Sequence, residues 1–517
     1  MEDSNSEGDQ RVSGSSSQID SPSIARSPRA VAAFVGRTER GPVNEPTLVN
    51  SYNHFRVVFG GHAPFSHLSH VVQHFFLHGG KNAVVVRVVN RANRALIRIP
   101  AADEFLEIAA RQPGSREFLR ASVDYDGVES SRERFNLIVQ RVSRLGSALV
   151  EDQEIFAGIS VRETDVRYAG KVLAKSRLVS LRGDVPEQRP NATSPENPGD
   201  PVRYLEIGVR GSDGSELSDY DIIGSDRDHS GLWSLDAFER IDLLCLPPPP
   251  GRDHGVTTFL AAERYCERRR AMLIWDPPLE WTTADSAIIG AREGALRSSS
   301  ALTYFPRIRP RVERVGLPSI LPACGAIAGV LSSKGDFGDW QESSTTDPFL
   351  KISLAPVIEV EDAKRASLHR AGVNVLAASG YGGAAFSGNV TLAAPGSMSM
   401  MWQKLDRRRL AQFILSSIES AGDQAIARSE DPGASLESAV SSFLHDLSQR
   451  GAFAAGTDEE AFVVKRLPRT SKSLGERVRV GFALHRPAEF LLYDFTLTRA
   501  GCHVQSARAL EADQLAG

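Results

Sequence analysis

The chain has 517 residues, 60 Lys and Arg against 64 Asp and Glu, a formal charge of -4, and 41% hydrophobic and 24% charged residues. This length predicts about two to four domains, each with its own core. The composition excludes a fibrous or wholly disordered chain, and the near-balanced charge excludes an electrostatic grip on nucleic acid across the whole surface. The four cysteines, Cys245, Cys266, Cys324 and Cys502, form no CxxC pair and are too sparse for a disulfide scaffold, so they read as reduced thiols.

The N-terminal segment MEDSNSEGDQRVSGSSSQ lacks the basic start and apolar run of a signal peptide, and no stretch of 18 apolar residues occurs. Production in the cytoplasm and no membrane insertion are expected. Residues 1–27 contain almost no large apolar side chains and read as a disordered tail. Order begins at Pro28: AVAAFVG is a buried-strand run, and GPVNEP supplies turn chemistry. In SHLSHVVQHFFLHGG, Leu68, Val71, Val72, Phe75 and Phe76 recur at helical spacing before the stop at Gly79 and Gly80, and NAVVVRVVN then reads as a buried strand. Residues 28–95 therefore form an α/β segment.

Between 96 and 230 short strand-like runs such as ALIRIP and FNLIVQRV, broken by VPEQRPNATSPENPGD, indicate an inserted β-rich, sandwich-like domain. The α/β character returns over 231–395. There ERIDLLCLPPPP, VTTFLAAERYCERRR and AMLIWDPP spell strand, helix, strand, a parallel pair with a right-handed crossover. Residues 396–500 carry two helices, in MWQKLDRRRLAQFILSSIES and in LESAVSSFLHDLSQRG. Two alternating strands follow, RVRVGFALHRP and EFLLYDFTLT, the last read as an edge strand before a tail over 501–517.

Four patterns were weighed for chemistry. Six of the twelve histidines, His54, His62, His67, His70, His74 and His78, crowd one stretch. The last four keep helical spacing, and an i, i+4 pair can grip zinc or nickel. No Asp, Glu or Cys converges with them, and the polar face of an amphipathic helix explains the spacing equally. Asp242, His254 and Ser397 or Ser399 follow the Asp, His, Ser order of subtilisin-type triads, yet no glycine turn follows Asp242 and GSMSM lacks a nucleophile-loop spacing. GYGGAAFSG over 380–388 lacks the Lys-Ser/Thr ending of a phosphate-binding loop and reads as a packed turn. Arg407, Arg408 and Arg409 read first as a solvated helix face and otherwise as a salt-sensitive contact with an acidic partner. The chain is therefore read as no enzyme, with no catalytic residue, metal or cofactor.

The order of segments resembles the phage tail sheath family, which also serves R-type pyocins and extracellular contractile injection systems. AVAAFVGRTERGPVNEPTLVNSYNHFRVVFGG resembles the family's opening, and VVQHFFLHGGKNAVVVRVV its helix, double glycine and strand. GLWSLDAFERIDLLCLP, LPACGAIAGVLSS, AGVNVLAASGYGGAAFSGNVTL and VGFALHRPAEFLLYDF follow in family order. The chain departs from the family in lacking a Pro-Gly-Val-Tyr opening and in reading Pro322-Ala323-Cys324-Gly325 where Pro-Pro-Ser-Gly is usual.

The resemblance implies an α/β fold, α+β overall. It has a subtilisin-like α/β core without protease function, the inserted β-rich domain, and a C-terminal, tube-facing α/β domain with an extended arm. It implies a sheath subunit that stacks in rings around an inner tube and contracts to drive the tube through a cell envelope. The alternatives are a non-contracting paralogue acting as a cap or baseplate-proximal ring and a degenerate subtilisin-like hydrolase. Implied partners are other copies of the chain, the tube protein, and baseplate and terminator proteins, within a virion tail or an injection particle assembled in the bacterial cytoplasm. Glu489, Phe490, Leu491, Leu492, Tyr493, Asp494 and Phe495 match the donated arm strand, and Arg407, Arg408 and Arg409 become a tube contact.

Overall fold

A computed structural model describes residues 24, 30–128, 130–193, 202–312, 318–333, 350–351, 353–378, 384–393, 402–454, 456–468 and 475–511, the last seven of these by backbone alone. The expected N-terminal tail, Ser397 and Ser399 lie outside them. The described residues divide into a larger unit ending at Leu410 and a smaller one beginning at Ala411.

The larger unit opens with β1 (Ala32–Gly36), β2 (Thr47–Val49), α1 (Tyr52–Phe59), α2 (Leu68–Leu77) and β3 (Ala83–Arg87). Every residue of β1 and β3 is buried, as a strand covered on both faces demands. The Ser51 hydroxyl caps α1 by accepting from the His54 N–H. After α2, Gly79 takes φ +96, where a side chain would be strained, and ends the helix as its sequence predicts.

The chain then leaves the core for seven strands and a short helix. These are β4 (Arg94–Ala101), β5 (Glu104–Pro113), β6 (Leu119–Asp124), β7 (Arg134–Val142), β8 (Val150–Ser160), α3 (Ala169–Leu173), β9 (Val179–Leu181) and β10 (Leu205–Glu206). Two antiparallel sheets result, ordered β10-β6-β7-β8 and β4-β5-β9. They share one apolar core that includes Ile97, Ile99, Leu106, Val123 and Leu137, alternating inward residues of the strands, and Leu173 of α3.

Returning, the chain forms α4 (Asp219–Ile223), β11 (Leu243–Cys245), α5 (Val256–Arg269), β12 (Met272–Ile274), α6 (Ala284–Glu293) and β13 (Ala301–Leu302). β11 pairs in parallel with β1, β12 with β11 and β13 with β12, giving a sheet ordered β13-β12-β11-β1-β3-β2 with only β2 antiparallel. The strand, helix, strand unit read from 239–278 is this β11-α5-β12 crossover. Short strands β14 (Tyr304–Phe305), β15 (Ile308–Pro310) and β16 (Leu354–Pro356) follow, together with α7 (Cys324–Ser333), α8 (Asp362–Arg370), β17 (Asn374–Ala378) and β18 (Ala384–Ser387). Of the 380–388 stretch, Ala384–Ser387 form β18, paired with β17; residues 379–383 lie outside the described residues.

Alternate residues of the central strands serve two cores. Ala32, Phe34, Ala83 and Val85 face α2 and α7; Ala33, Val35, Val84 and Val86 face α5 and the turn around Leu232 and Leu235. α7 is buried from Cys324 to Ser332 and lies against α2 at backbone distance. A Cβ on Gly325 would sit 2.0 Å from the Val71 carbonyl oxygen, and one on Gly329 2.4 Å from that of Phe75. Only glycine permits this approach. Where a glycine such as Gly456 faces open space, no such demand exists.

Gly325→Ala should therefore lower unfolding stability by about 1–3 kcal/mol, the usual cost of overpacking a closed core, while Gly456→Ala stays within about 0.5 kcal/mol of the parent. Urea midpoints of the two variants check this.

Candidate assembly interface

The smaller unit holds most of α9 (Leu405–Arg428), then α10 (Pro432–Gln449), α11 (Asp458–Ala461), β19 (Phe462–Leu467), β20 (Glu476–Phe482), β21 (Glu489–Thr498) and β22 (Gly501–Glu511). Asp431 caps α10, accepting from the Ala434 N–H, with Pro432 preset for the first turn. The four strands make one antiparallel sheet in chain order. Inward Val478, Val480, Phe482, Phe495 and Leu497 are buried, and Arg479 grips Asp494 across the strands with two hydrogen bonds of 2.7 and 2.9 Å.

Two expectations are corrected by this sheet. Residues Glu489, Phe490, Leu491, Leu492, Tyr493, Asp494 and Phe495 lie in β21, which pairs with β20 on one side and β22 on the other, so β21 is an interior strand with no open edge. The segment expected as a tail from 501 is strand as far as Glu511. The segment GCHVQSARALE lacks apolar alternation, yet it pairs with β21 along its length.

The edges of the sheet are thus β19 and β22, and helix carboxylates cap part of each. Asp423 accepts the Cys502 N–H at 2.8 Å and Glu419 the Val504 N–H at 3.3 Å along the start of β22; Glu437 accepts the Arg466 N–H at 3.1 Å on β19. Each acid satisfies a main-chain donor that would otherwise invite another strand. β22 ends the sheet order, and Asp423 and Glu419 cap its start.

Of the three arginines, Arg408 donates to the Ser300 hydroxyl at 2.9 Å and stacks over Trp402, and Arg409 donates to the Leu331 carbonyl at 3.0 Å. These two guanidiniums are held by the chain itself rather than spread on a solvated face. The Arg407 N–H donates to Asp406 Oδ1.

The histidines on α2 are buried, not solvated: His67, His70, His74 and His78 are 4–6% exposed. His67 Nδ1 lies 2.9 Å from the Pro248 carbonyl, His78 Nδ1 2.7 Å from that of His74, and the rings of His62 and His70 stack face to face at 3.8 Å. Stacked rings aim their nitrogens sideways, not at a shared point. Among the described residues no three His, Cys, Asp or Glu side chains converge on a metal position. Burial, and then neighbouring histidines, lower the pKa of His70 and of His74 to about 3.

Asp242 does not end a strand as its sequence suggested. It precedes β11, where it accepts the Val31 N–H at 2.7 Å and pairs with Arg240 at 2.6 Å. His254 lies past the other end, with Nε2 3.3 Å from the Pro247 carbonyl. A strand's length, roughly 15 Å, separates the two. The crevice at the carboxyl ends of β1 and β11, where open α/β sheets usually take ligands, is filled by His67 against Pro248 and by the Ser66 hydroxyl donating to the Arg37 carbonyl.

No family model matches the sequence, and no curated protein matches it significantly. Solved structures do match the fold. The sheath tail protein of Listeria innocua aligns with a TM-score of 0.58 at 12% identity, over 95% of this chain and 100% of that one. The sheath tail protein of Desulfitobacterium hafniense aligns at 0.54 and 12% identity, over 95% and 98%. The contracted PVC sheath complex of an extracellular contractile injection system gives 0.51 and 14% identity, over 96% and 99%.

The chain has the tail sheath fold. The match runs through almost the whole of each chain, so the sheath fold here includes more than the central sheet. Among the described residues no helix of this sheath-fold chain is long and apolar enough to cross a membrane.

The buried histidines set a pH dependence for the sheath fold. His70 and His74 take up protons below 6.5 when unfolded but only near 3 when folded. Their contribution is complete above pH 6.5 and is lost as pH falls from there towards 3, with a slope of up to about 1.4 kcal/mol per pH unit for each. Urea midpoints between pH 7 and 4 should fall, and should fall less in a His70→Gln/His74→Gln variant.

Proposed function

We propose that this chain is a structural subunit of a contractile tail sheath, polymerising as stacked rings around an inner tube. The observation that carries this reading is the fold match over about 95% of the chain to sheath proteins, one of them in the contracted state. On this reading the core is subtilisin-like in topology and serves as scaffold, and the same fold hosts assembly where a relative could host catalysis.

Copies join by strand addition. The outer edge of β22 offers main-chain donors and acceptors to a neighbour beyond Cys502 and Val504, whose N–H groups Asp423 and Glu419 already take. Contraction then turns subunits as rigid bodies into a lattice with more buried contact, drawing on that contact rather than on nucleotide hydrolysis. Arg407, Arg408 and Arg409, in the first turns of α9, are the candidates for a contact with the tube.

The test is negative-stain electron microscopy of the purified chain over a range of concentrations. Hollow tubes with regular end-on views are expected, and removal of 501–517 should abolish them while the circular dichroism of the larger unit persists. Single particles at every concentration would sink polymerisation by this chain alone and favour a cap ring that needs tube or baseplate to assemble.

A further inference from the structure

An open cleft of about 580 Å³ lies where the core meets the inserted domain. Three segments supply guanidiniums to it: Arg40 from the loop between β1 and β2, Arg56 from the last turn of α1, and Arg116 from the loop before β6. Two carboxylates share the lining, Glu39 and Glu151, so the charge there is positive by one.

The three arginines are not equivalent. Arg40 is committed: it pairs with Glu151 at 2.6 Å, donates to the Val57 carbonyl at 3.2 Å, and its side chain is only 15% exposed. Arg116 stands 3.6 Å from Glu39, too far for a hydrogen bond, and its side chain is 55% exposed. Glu39 is tied down independently, accepting the Gly61 N–H at 2.7 Å. Arg56 makes no ion pair among the described residues and is exposed. Two guanidiniums therefore face the cleft with donors to spare, and the Asn53 amide and Ser143 hydroxyl line it as neutral donors.

We propose that this cleft binds a small polyvalent oxyanion, carboxylate or phosphate, clamped between Arg56 of the core and Arg116 of the inserted domain. Guanidinium forks match both groups in planar, two-bond geometry. Two guanidiniums with donors to spare, on separate segments, match a ligand with two charged groups. The apolar core of the inserted domain is separate from those of the central sheet, and the joint between them is built from charges. An anion spanning Arg56 and Arg116 ties the two together, and its binding stabilises the folded chain by mass action. The site stands whether or not the chain polymerises.

The experiment is calorimetric titration and thermal melting of the full chain with pyrophosphate and with citrate, against sodium chloride at matched ionic strength. One-to-one binding and a rising melting temperature with either anion are expected; pyrophosphate alone would assign phosphate, and citrate alone carboxylate. Arg56→Ala and Arg116→Ala should each weaken binding roughly tenfold or more, while Arg264→Ala, exposed on α5, should leave it unchanged. Arg56→Ala decides if Arg116→Ala disturbs the fold, because Arg56 has no partner to orphan. No effect beyond chloride, or unaltered binding in the Arg56→Ala variant, overturns the proposal.

Discussion

Everything in the larger unit rests on the close approach of α2 and α7. The parallel strands β1, β3, β11 and β12 are apolar on both faces and need both covered. One cover is α5 and its neighbours; the other is α2 and α7 packed so tightly that Gly325 and Gly329 leave no room for a Cβ. That contact explains why the histidines of α2 are buried: a helix wedged between sheet and helix leaves solvent little beyond Gln73, Phe76 and Leu77. Inside, His67 and His78 each meet a carbonyl and His70 a ring, whereas the Nδ1 of His74 is buried with no hydrogen-bond partner among the described residues. Neutral histidines are thus a consequence of packing.

Around that dry centre the working surfaces are polar and directional. The inserted domain meets the core through Arg40 with Glu151 and through Arg37 donating to the Asp213 and Gly214 carbonyls. The C-terminal sheet manages its edges in the same idiom, with Asp423, Glu419 and Glu437 each taking a main-chain N–H. Such contacts have defined geometry and break without opening a core.

Much of the fold was legible because its signals are local. The apolar runs of β1 and β3, the helical spacing and glycine stop of α2, and the β11-α5-β12 crossover all follow from periodicity and turn residues. What was not legible depended on three dimensions. α7 is apolar all round and carries no amphipathic period to read; its Gly325 and Gly329 acquire meaning only against Val71 and Phe75. The spacing of the histidines identified a helix face but could not tell a solvated face from one pressed on α7. β21 looked like the last strand because β22 lacks apolar alternation. Glu151 and Arg40, 111 residues apart, are brought together by topology alone.

The central claim is that this chain joins its copies along the outer edge of β22. Hydrogen–deuterium exchange of the free and the assembled protein tests it most directly. The account predicts that backbone amides from Gln505 to Glu511 exchange faster in the free chain and become protected on assembly, while Cys502 and Val504, already bonded to Asp423 and Glu419, change little. Equal exchange over 505–511 in both states would contradict it.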